Sequence, residues 1–128
     1  IGGGGRIIGP HTLPNGGIHI TARDLARFGY LALNHGIWAG RNIVPRWWME
    51  KATQTSQLLN KDYGYTWWVN TQGTLWQGIP RDAFSAMGFN SNKCYVIPSL
   101  DLVVVRVGDG PWPWDDGDFL RTVIPPVL

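Results

Sequence analysis

The sequence predicts an α+β fold, and three observations carry that expectation. Residues 93–97 (Lys-Cys-Tyr-Val-Ile) and 102–107 (Leu-Val-Val-Val-Arg-Val) are β-rich arms on either side of Pro98-Ser99-Leu100-Asp101. That linker supplies turn chemistry, so the arms form an antiparallel hairpin. The second arm is apolar at successive rather than alternate positions, as in a strand buried on both faces, so both sides of the sheet need cover. A helix to provide it is expected from Thr21 onward, where Leu25, Phe28 and Ala32 recur on one face with Leu31 beside them.

The helix has recognisable ends. Thr21-Ala22-Arg23-Asp24 is a variant capping box, in which the threonine oxygen accepts an orphan backbone N–H and Asp24 places negative charge in the first turn. Asn34-His35-Gly36 is the exit, with Gly36 able to adopt a left-handed cap. Before it, residues 1–17 read as loop, since four consecutive glycines, Gly9-Pro10 and Pro14-Asn15-Gly16-Gly17 are breakers without periodicity. Ile18-His19-Ile20 alternates as a short strand. After the helix, residues 38–42 form a turn between short extended pieces. Pro45 suits a first helical position, and residues 46–55 are expected to form a second helix carrying Trp47, Trp48 and Met49. Residues 63–69 are aromatic-rich and read as a strand, 70–82 as a polar connection and 83–88 as a further strand. Residues 111–114 (Pro-Trp-Pro-Trp) are extended. A closing helix over 115–124 has acidic residues at its start, and Pro125-Pro126 ends it.

Composition excludes several classes of function. The chain has 128 residues, 44% of them hydrophobic and 16% charged, which excludes disorder of the low-hydrophobicity, high-charge kind. Such a chain buries about 65% of its unfolded surface, enough for a real core. No apolar run approaches the ~18 residues of a membrane segment. The Ile-Gly-Gly-Gly-Gly opening is not expected to be a signal peptide, which needs a basic region and an apolar stretch. The eleven basic residues are scattered, so no clustered cationic surface for nucleic acid is expected. The single cysteine, Cys94, excludes an internal disulfide and a cysteine-based zinc cluster.

Candidate chemistry is sparse. None of Ser56, Ser85, Ser91 and Ser99 sits in Gly-x-Ser-x-Gly or has a lysine three residues later, and no Tyr-x-Asn occurs. Cys94, within a strand, reads as a small buried hydrophobe rather than a reactive thiolate. His11, His19 and His35 lack helical metal-ligand spacing. Asp115, Asp116 and Asp118 are explained by charge placement at a helix N-terminus. Trp47-Trp48 and Trp67-Trp68 put adjacent rings on different faces, so one member of each pair is expected in the core. Exposed members can stack on sugar rings.

The run from Gly16 to Gly29, Gly-Gly-Ile-His-Ile-Thr-Ala-Arg-Asp-Leu-Ala-Arg-Phe-Gly, closely resembles a segment of the serine β-lactamase-like family, which holds class C β-lactamases, penicillin-binding esterases and DD-peptidases. Three further stretches agree in order: Ile43-Val44-Pro45 with Trp47-Trp48, then Tyr63-Gly64-Tyr65-Thr66-Trp67-Trp68, then residues 95–105. The resemblance covers about residues 16–107 and implies the C-terminal portion of such a domain. In this division residues 1–17 are loop, 18–107 the matching core and 108–128 a closing segment and helix. The implied fold is an antiparallel sheet flanked by helices, to which the chain contributes about three strands and the last helix.

The implied activity is hydrolysis of a small-molecule ester, amide or β-lactam through an acyl-enzyme. The family's Ser-x-x-Lys nucleophile and its Tyr-x-Asn lie upstream of the matched region, so this chain alone is expected to be inactive. The family's third motif, Lys/His-Thr-Gly, falls on Ala86-Met87-Gly88: the glycine matches, and the basic and hydroxyl residues are replaced. The resemblance places the oxyanion-hole N–H on Phe89, with Ala86, Met87, Gly88 and Asn90 as pocket wall. A fixed N–H aimed at developing negative charge stabilises the transition state whatever its side chain, and glycine allows close backbone approach. No cofactor or metal is implied. The expected partners are that substrate and, for an incomplete sheet, self-association or an N-terminal region outside the chain; nucleic acid and a membrane segment are not expected. Relatives are often periplasmic or secreted, but the sequence assigns no compartment. A Trp-rich glycan- or peptidoglycan-binding module, or an inert truncated remnant, are the competing expectations.

Overall fold

The computed structural model describes residues 7–8, 11–12, 20–88, 92–108 and 113–124, the first four by backbone alone. In chain order the elements are β1 (Ile7–Ile8), β2 (His11–Thr12), α1 (Ala22–Leu33), β3 (Ile37–Trp38), β4 (Arg41–Asn42), α2 (Arg46–Ala52), β5 (Trp68–Val69), β6 (Phe84–Met87), β7 (Lys93–Ile97), β8 (Leu102–Arg106) and α3 (Asp116–Val123). The fold is α+β. Its main sheet is antiparallel with order β5-β6-β7-β8, four strands rather than the three expected.

Strand β7 explains the layering. Its side chains alternate, and both sets are buried. Cys94 and Val96 join Ala32 and Leu33 of α1, with Val69, Phe84, Val103 and Val105. Tyr95 and Ile97 join Leu120 of α3, with Ile124, Trp76, Leu102 and Val104. The sheet thus has a helix on each face, as the two-faced apolar hairpin requires. The hairpin register runs from Lys93↔Arg106 to Ile97↔Leu102, around a 3-10 turn at Pro98–Leu100 and a left-handed Asp101 (φ 50°). No strand among the described residues pairs with the outer edge of β8.

Helix α1 begins as its sequence indicates, with the Thr21 side chain accepting from the Asp24 N–H at 3.1 Å. At its end His35 N–H donates to the Ala32 carbonyl (3.1 Å) and Gly36 N–H to that of Leu31 (2.9 Å), the paired reverse bonds of a Schellman cap. Gly36 is left-handed as expected (φ +86°), and a Cβ there would stand 2.2 Å from the Val44 carbonyl oxygen. His35 is left-handed too (φ 57°), which its residue type did not suggest. The buried face differs from the expected stripe. Phe28 is 44% exposed and lies flat on Trp67 (5.6 Å, 6°), while Gly29 forms the contact with the sheet. A Cβ at Gly29 would meet Cys94 Sγ and Val103 Cγ1, each at 2.7 Å.

Several expected elements shrink. Within the supposed loop 1–17, Ile7–Ile8 pairs with His11–Thr12; dipeptides are too short to show a period. Of the strand expected at 18–20, residues 18 and 19 lie outside the described residues and Ile20 is in no strand. The turn at 38–42 is present between β3 and β4, with Ala39 and Gly40 both at positive φ. Pro45 is the N-cap of α2 rather than its first residue. The helix stops at Ala52 rather than at 55, because the Ala52 carbonyl accepts from Tyr65 N–H (2.9 Å) and Thr53 Oγ1 donates back to the Met49 carbonyl (2.7 Å). Neither Trp47 nor Trp48 is core: Met49 and Ala52 are the buried pair, which at i, i+3 leaves both indoles outward. The expected strand over 63–69 is only Trp68–Val69 plus a bridge between Tyr63 and Trp68. Its aromatic content serves packing instead: Gly64 and Thr66 turn the chain sharply, with Gly64 N–H donating to the Trp67 carbonyl at 2.8 Å. The Trp67-Trp68 pair behaves as expected, with Trp67 buried and Trp68 half-buried.

Residues 70–82 form the expected strandless connection, and one side chain organises it. Asn70, fully buried, donates from Nδ2 to the carbonyls of Trp76, Ile79 and Pro80 (3.0, 3.0 and 3.2 Å). Its Oδ1 accepts from the Trp76 N–H at 2.9 Å.

Gly29→Ala tests the contact between α1 and the sheet. Alanine raises helix propensity by about 1 kcal/mol, yet the added methyl has no room and overpacking costs roughly 1–3 kcal/mol. The expected result is a net fall in the urea midpoint; a midpoint at or above wild type would show that α1 does not rest on β7 and β8 at this residue.

Candidate functional site

Strand β6 carries the residues singled out as pocket wall. It pairs with β7 through Phe84↔Val96, Ser85↔Tyr95, Ala86↔Cys94 and Met87↔Lys93. Alternation sends Phe84 and Ala86 to the α1 face and Met87 to the α3 face, where each packs with the corresponding cluster. Gly88 follows at the strand end, exposed, and its N–H donates to the Asn92 carbonyl at 2.8 Å. A Cβ on Gly88 would meet Asn92 at 3.8 Å, an ordinary van der Waals contact, so the position is not crowded. Phe89 and Asn90 lie outside the described residues. Ala86, Met87 and Gly88 are therefore contiguous, but only Ala86 and Gly88 address the α1 side.

The nearest basic group does not replace the missing one. Lys93 stands opposite Met87 on the α3 face, with Nζ 3.3 Å from Met87 Sδ and 3.5 Å from Asp116 Oδ1. Asp116 also accepts from the Tyr95 hydroxyl, which in turn accepts from Trp114 Nε1 at 3.1 Å. The Arg106 guanidinium lies 4.7 Å from the Trp114 ring centre. This linkage joins the end of β6 to the start of α3. Helix α3 begins as expected, with Asp115 accepting from the Asp118 N–H at 2.9 Å and Asp118 pairing with Arg121 at 2.9 Å. Asp116 has the further cross-sheet role, and a contact between residues 21 positions apart left no local pattern to read.

The described serine hydroxyls donate to backbone carbonyls or to a carboxylate. Ser85 is fully buried and donates to the Ala86 carbonyl (3.2 Å). Ser56 donates to the carbonyls of Tyr63 and Gly64 (3.0 and 3.1 Å). Ser99 donates to Asp82 Oδ1 (2.9 Å), and the Ser99 N–H donates to Asp82 Oδ2 (2.7 Å). Ser91 lies outside the described residues. Cys94 has no solvent exposure, and burial pushes its thiol up to about 12, the inert state expected from its strand context. Burial first, and the hydrogen bond to Asp116 second, also raise the Tyr95 phenol. Among the described residues no cluster of three His, Cys, Asp or Glu side chains is placed to hold a metal ion. No helix among them is long and apolar enough to cross a membrane.

A cleft of about 570 Å³ opens elsewhere, lined by His35, Met49, Glu50, Arg81, Asp82 and Phe84 among others. Phe84 begins β6 and Gly88 ends it, so this cleft is at the far end of the strand from the glycine. The two ends of β6 thus differ, with the cleft at one and an exposed glycine at the other.

Known proteins bear out the α+β fold. No family model matches the sequence. A 6-aminohexanoate-dimer hydrolase of Paenarthrobacter ureafaciens is 29% identical over 111 residues, 77% of this chain and 26% of that protein. A solved structure provisionally named 6-aminohexanoate-dimer hydrolase, from Bacillus anthracis, superposes with TM-score 0.59 at 27% identity, over 87% of this chain and 28% of that one. Over most of its length the chain is similar to 6-aminohexanoate-dimer hydrolases, members of the serine β-lactamase-like family. A second relative, an uncharacterized protein of Alkalihalophilus pseudofirmus, is 26% identical over 98 residues, 70% of this chain and 29% of its own length. The chain thus spans little more than a quarter of the length of the relatives it matches, and it is related to hydrolases.

The buried thiol gives a signed test. A folded value near 12 against about 8.5 in the unfolded chain means that native Cys94 holds its proton longer. Its contribution to stability is complete below about pH 8.5 and is lost as pH rises toward 12. Tyr95, raised in the same direction, adds to that alkaline loss. Native protein at neutral pH is expected to resist a thiol reagent until denaturant is added, and Cys94→Ala is expected to flatten the alkaline fall in stability. Rapid labelling of native protein, or an unchanged slope in the variant, would contradict the assignment.

Proposed function

We propose that this chain is the C-terminal portion of a serine hydrolase domain and forms one wall of its acyl-transfer site. The observation that supports this most directly is the end of β6, where a small Ala86 on the α1 face and an exposed, uncrowded Gly88 leave the backbone accessible. The N–H of Phe89 is the oxyanion donor in this reading. That role needs a fixed backbone amide rather than a particular side chain. Ala86, Met87, Gly88 and Asn90 line the wall around it.

The nucleophilic serine and its base come from residues outside this chain. The serine hydroxyl attacks the carbonyl carbon of a small ester, amide or β-lactam, its proton passing to the base. The carbonyl oxygen gains negative charge toward the Phe89 N–H. Expulsion of the leaving group, which takes a proton, gives the acyl-enzyme, and water hydrolyses it by the same route. The P. ureafaciens relative is named for a dimer of 6-aminohexanoate, units joined by an amide, which favours an amide within this class. No cation from Ala86 or Met87 is available to hold a substrate carboxylate, and Lys93 is committed to Asp116 on the other face.

The 128-residue chain is expected to gain no mass on incubation with a fluorophosphonate or penicillin probe, and the coding sequence upstream of Ile1 is expected to contain Ser-x-x-Lys. A stoichiometric adduct on this chain, or a start codon directly before Ile1, would refute the proposal.

A further inference from the structure

We propose that the segment from Arg41 to Tyr65 seats the protein on an anionic lipid surface. Six of the ten large apolar side chains that stand exposed among the described residues fall in this segment: Ile43, Trp47, Trp48, Leu58, Leu59 and Tyr65. The leucines are the extreme case, at 87% and 98% exposure. Exposing adjacent leucines to water is unfavourable, and grouped apolar exposure of this kind marks an interaction surface.

The leucine tip is tied rather than loose. Thr55 Oγ1 donates to the Lys61 carbonyl (2.6 Å) across its base. Ser56 Oγ bonds the carbonyls of Tyr63 and Gly64, and Tyr65 N–H bonds the Ala52 carbonyl at the end of α2. The aromatic side chains are ordered as well: Trp48 stacks on Tyr65 (5.3 Å, 15°) and Trp47 stands edge-on to Trp48 (5.9 Å, 86°). A tip already held in place surrenders little conformational freedom on insertion. Trp and Tyr, with an apolar body and a polar handle, suit the boundary between headgroup and acyl chain.

Charge selects the occupant. The segment holds Arg41, Arg46, Lys51 and Lys61 against Glu50 and Asp62, leaving seven basic and seven acidic residues in the rest of the chain. The whole formal net charge of +2 therefore belongs to this stretch. Positive charge beside exposed apolar groups is the pairing that peripheral attachment to anionic lipid needs, since either signal alone binds weakly. A second copy would oppose like charge to like charge. A saccharide would use the tryptophan faces but leave the leucines unexplained.

The test is co-sedimentation of the 128-residue chain with vesicles of phosphatidylcholine plus phosphatidylserine, against phosphatidylcholine alone. Binding is expected to the mixed vesicles, weaker to the neutral ones, and to fall with salt. The double variant Leu58→Asp, Leu59→Asp is expected to lose at least about tenfold in affinity. Lys61→Gln is expected to lose about fivefold, the worth of one charge near such a surface. Both changes lie at exposed positions, and an unchanged circular dichroism spectrum confirms the fold. The proposal is overturned by the absence of vesicle binding, by indifference to phosphatidylserine, or by full binding of the leucine variant. Displacement by soluble peptidoglycan fragments, or a dimer that the leucine variant abolishes in place of vesicle binding, would likewise replace it with a glycan or self-association surface.

Discussion

Four consecutive side chains of β7 are buried, Cys94 and Val96 against α1 and Tyr95 and Ile97 against α3. A strand hidden on both faces cannot lie at the surface of a two-layer structure, so a helix must stand on each side. Helix α1 meets the demand by approach: Gly29 lets its backbone settle onto Cys94 and Val103. Helix α3 meets it with side chains, Leu120 and Phe119, and with the hydroxyl–carboxylate link from Tyr95 to Asp116. The placement of β6, and hence of Gly88, follows from the register with this strand.

Legibility in the sequence tracked the range of the interaction. Helix α1, the 93–106 hairpin and α3 were read closely because capping residues, turn residues and apolar spacing are local. The shortening of α2 was invisible, since what ends it is an acceptor claimed by Tyr65, thirteen residues on. The aromatic stretch before β5 looked like a strand because ring-rich sequence is common to strands and to packed turns. One of Trp47 and Trp48 is expected in the core because adjacent positions face different ways, but Met49 and Ala52 hold the inward positions of a helix only seven residues long. For the candidate site, the family resemblance singled out Ala86-Met87-Gly88, which the structure places at the end of β6. The fate of the nearest cation, Lys93, needed the register.

The two faces of the sheet carry different duties. On the α1 side β6 presents Phe84 and Ala86, and the strand end opens at Gly88. On the α3 side Met87, Lys93, Asp116, Tyr95 and Trp114 form a continuous chain of contacts. That chain braces the same strand end from behind without entering the open side. In the proposed site, where the chemistry rests on a backbone amide, side-chain replacement along the wall is tolerated provided the strand end stays put. Ala86 and Met87, standing where the resembled motif has a basic and a hydroxyl residue, fit that proposal.

Asn70 has a consequence for motion. The connection between β5 and β6 has no ladder of its own, and one buried amide spans its start, middle and end. Its carbonyls at Trp76, Ile79 and Pro80 share a single donor group, so releasing one loosens the geometry for the others. Opening of that stretch is then a collective event, with its amides exchanging with solvent together as one small unit rather than fraying residue by residue.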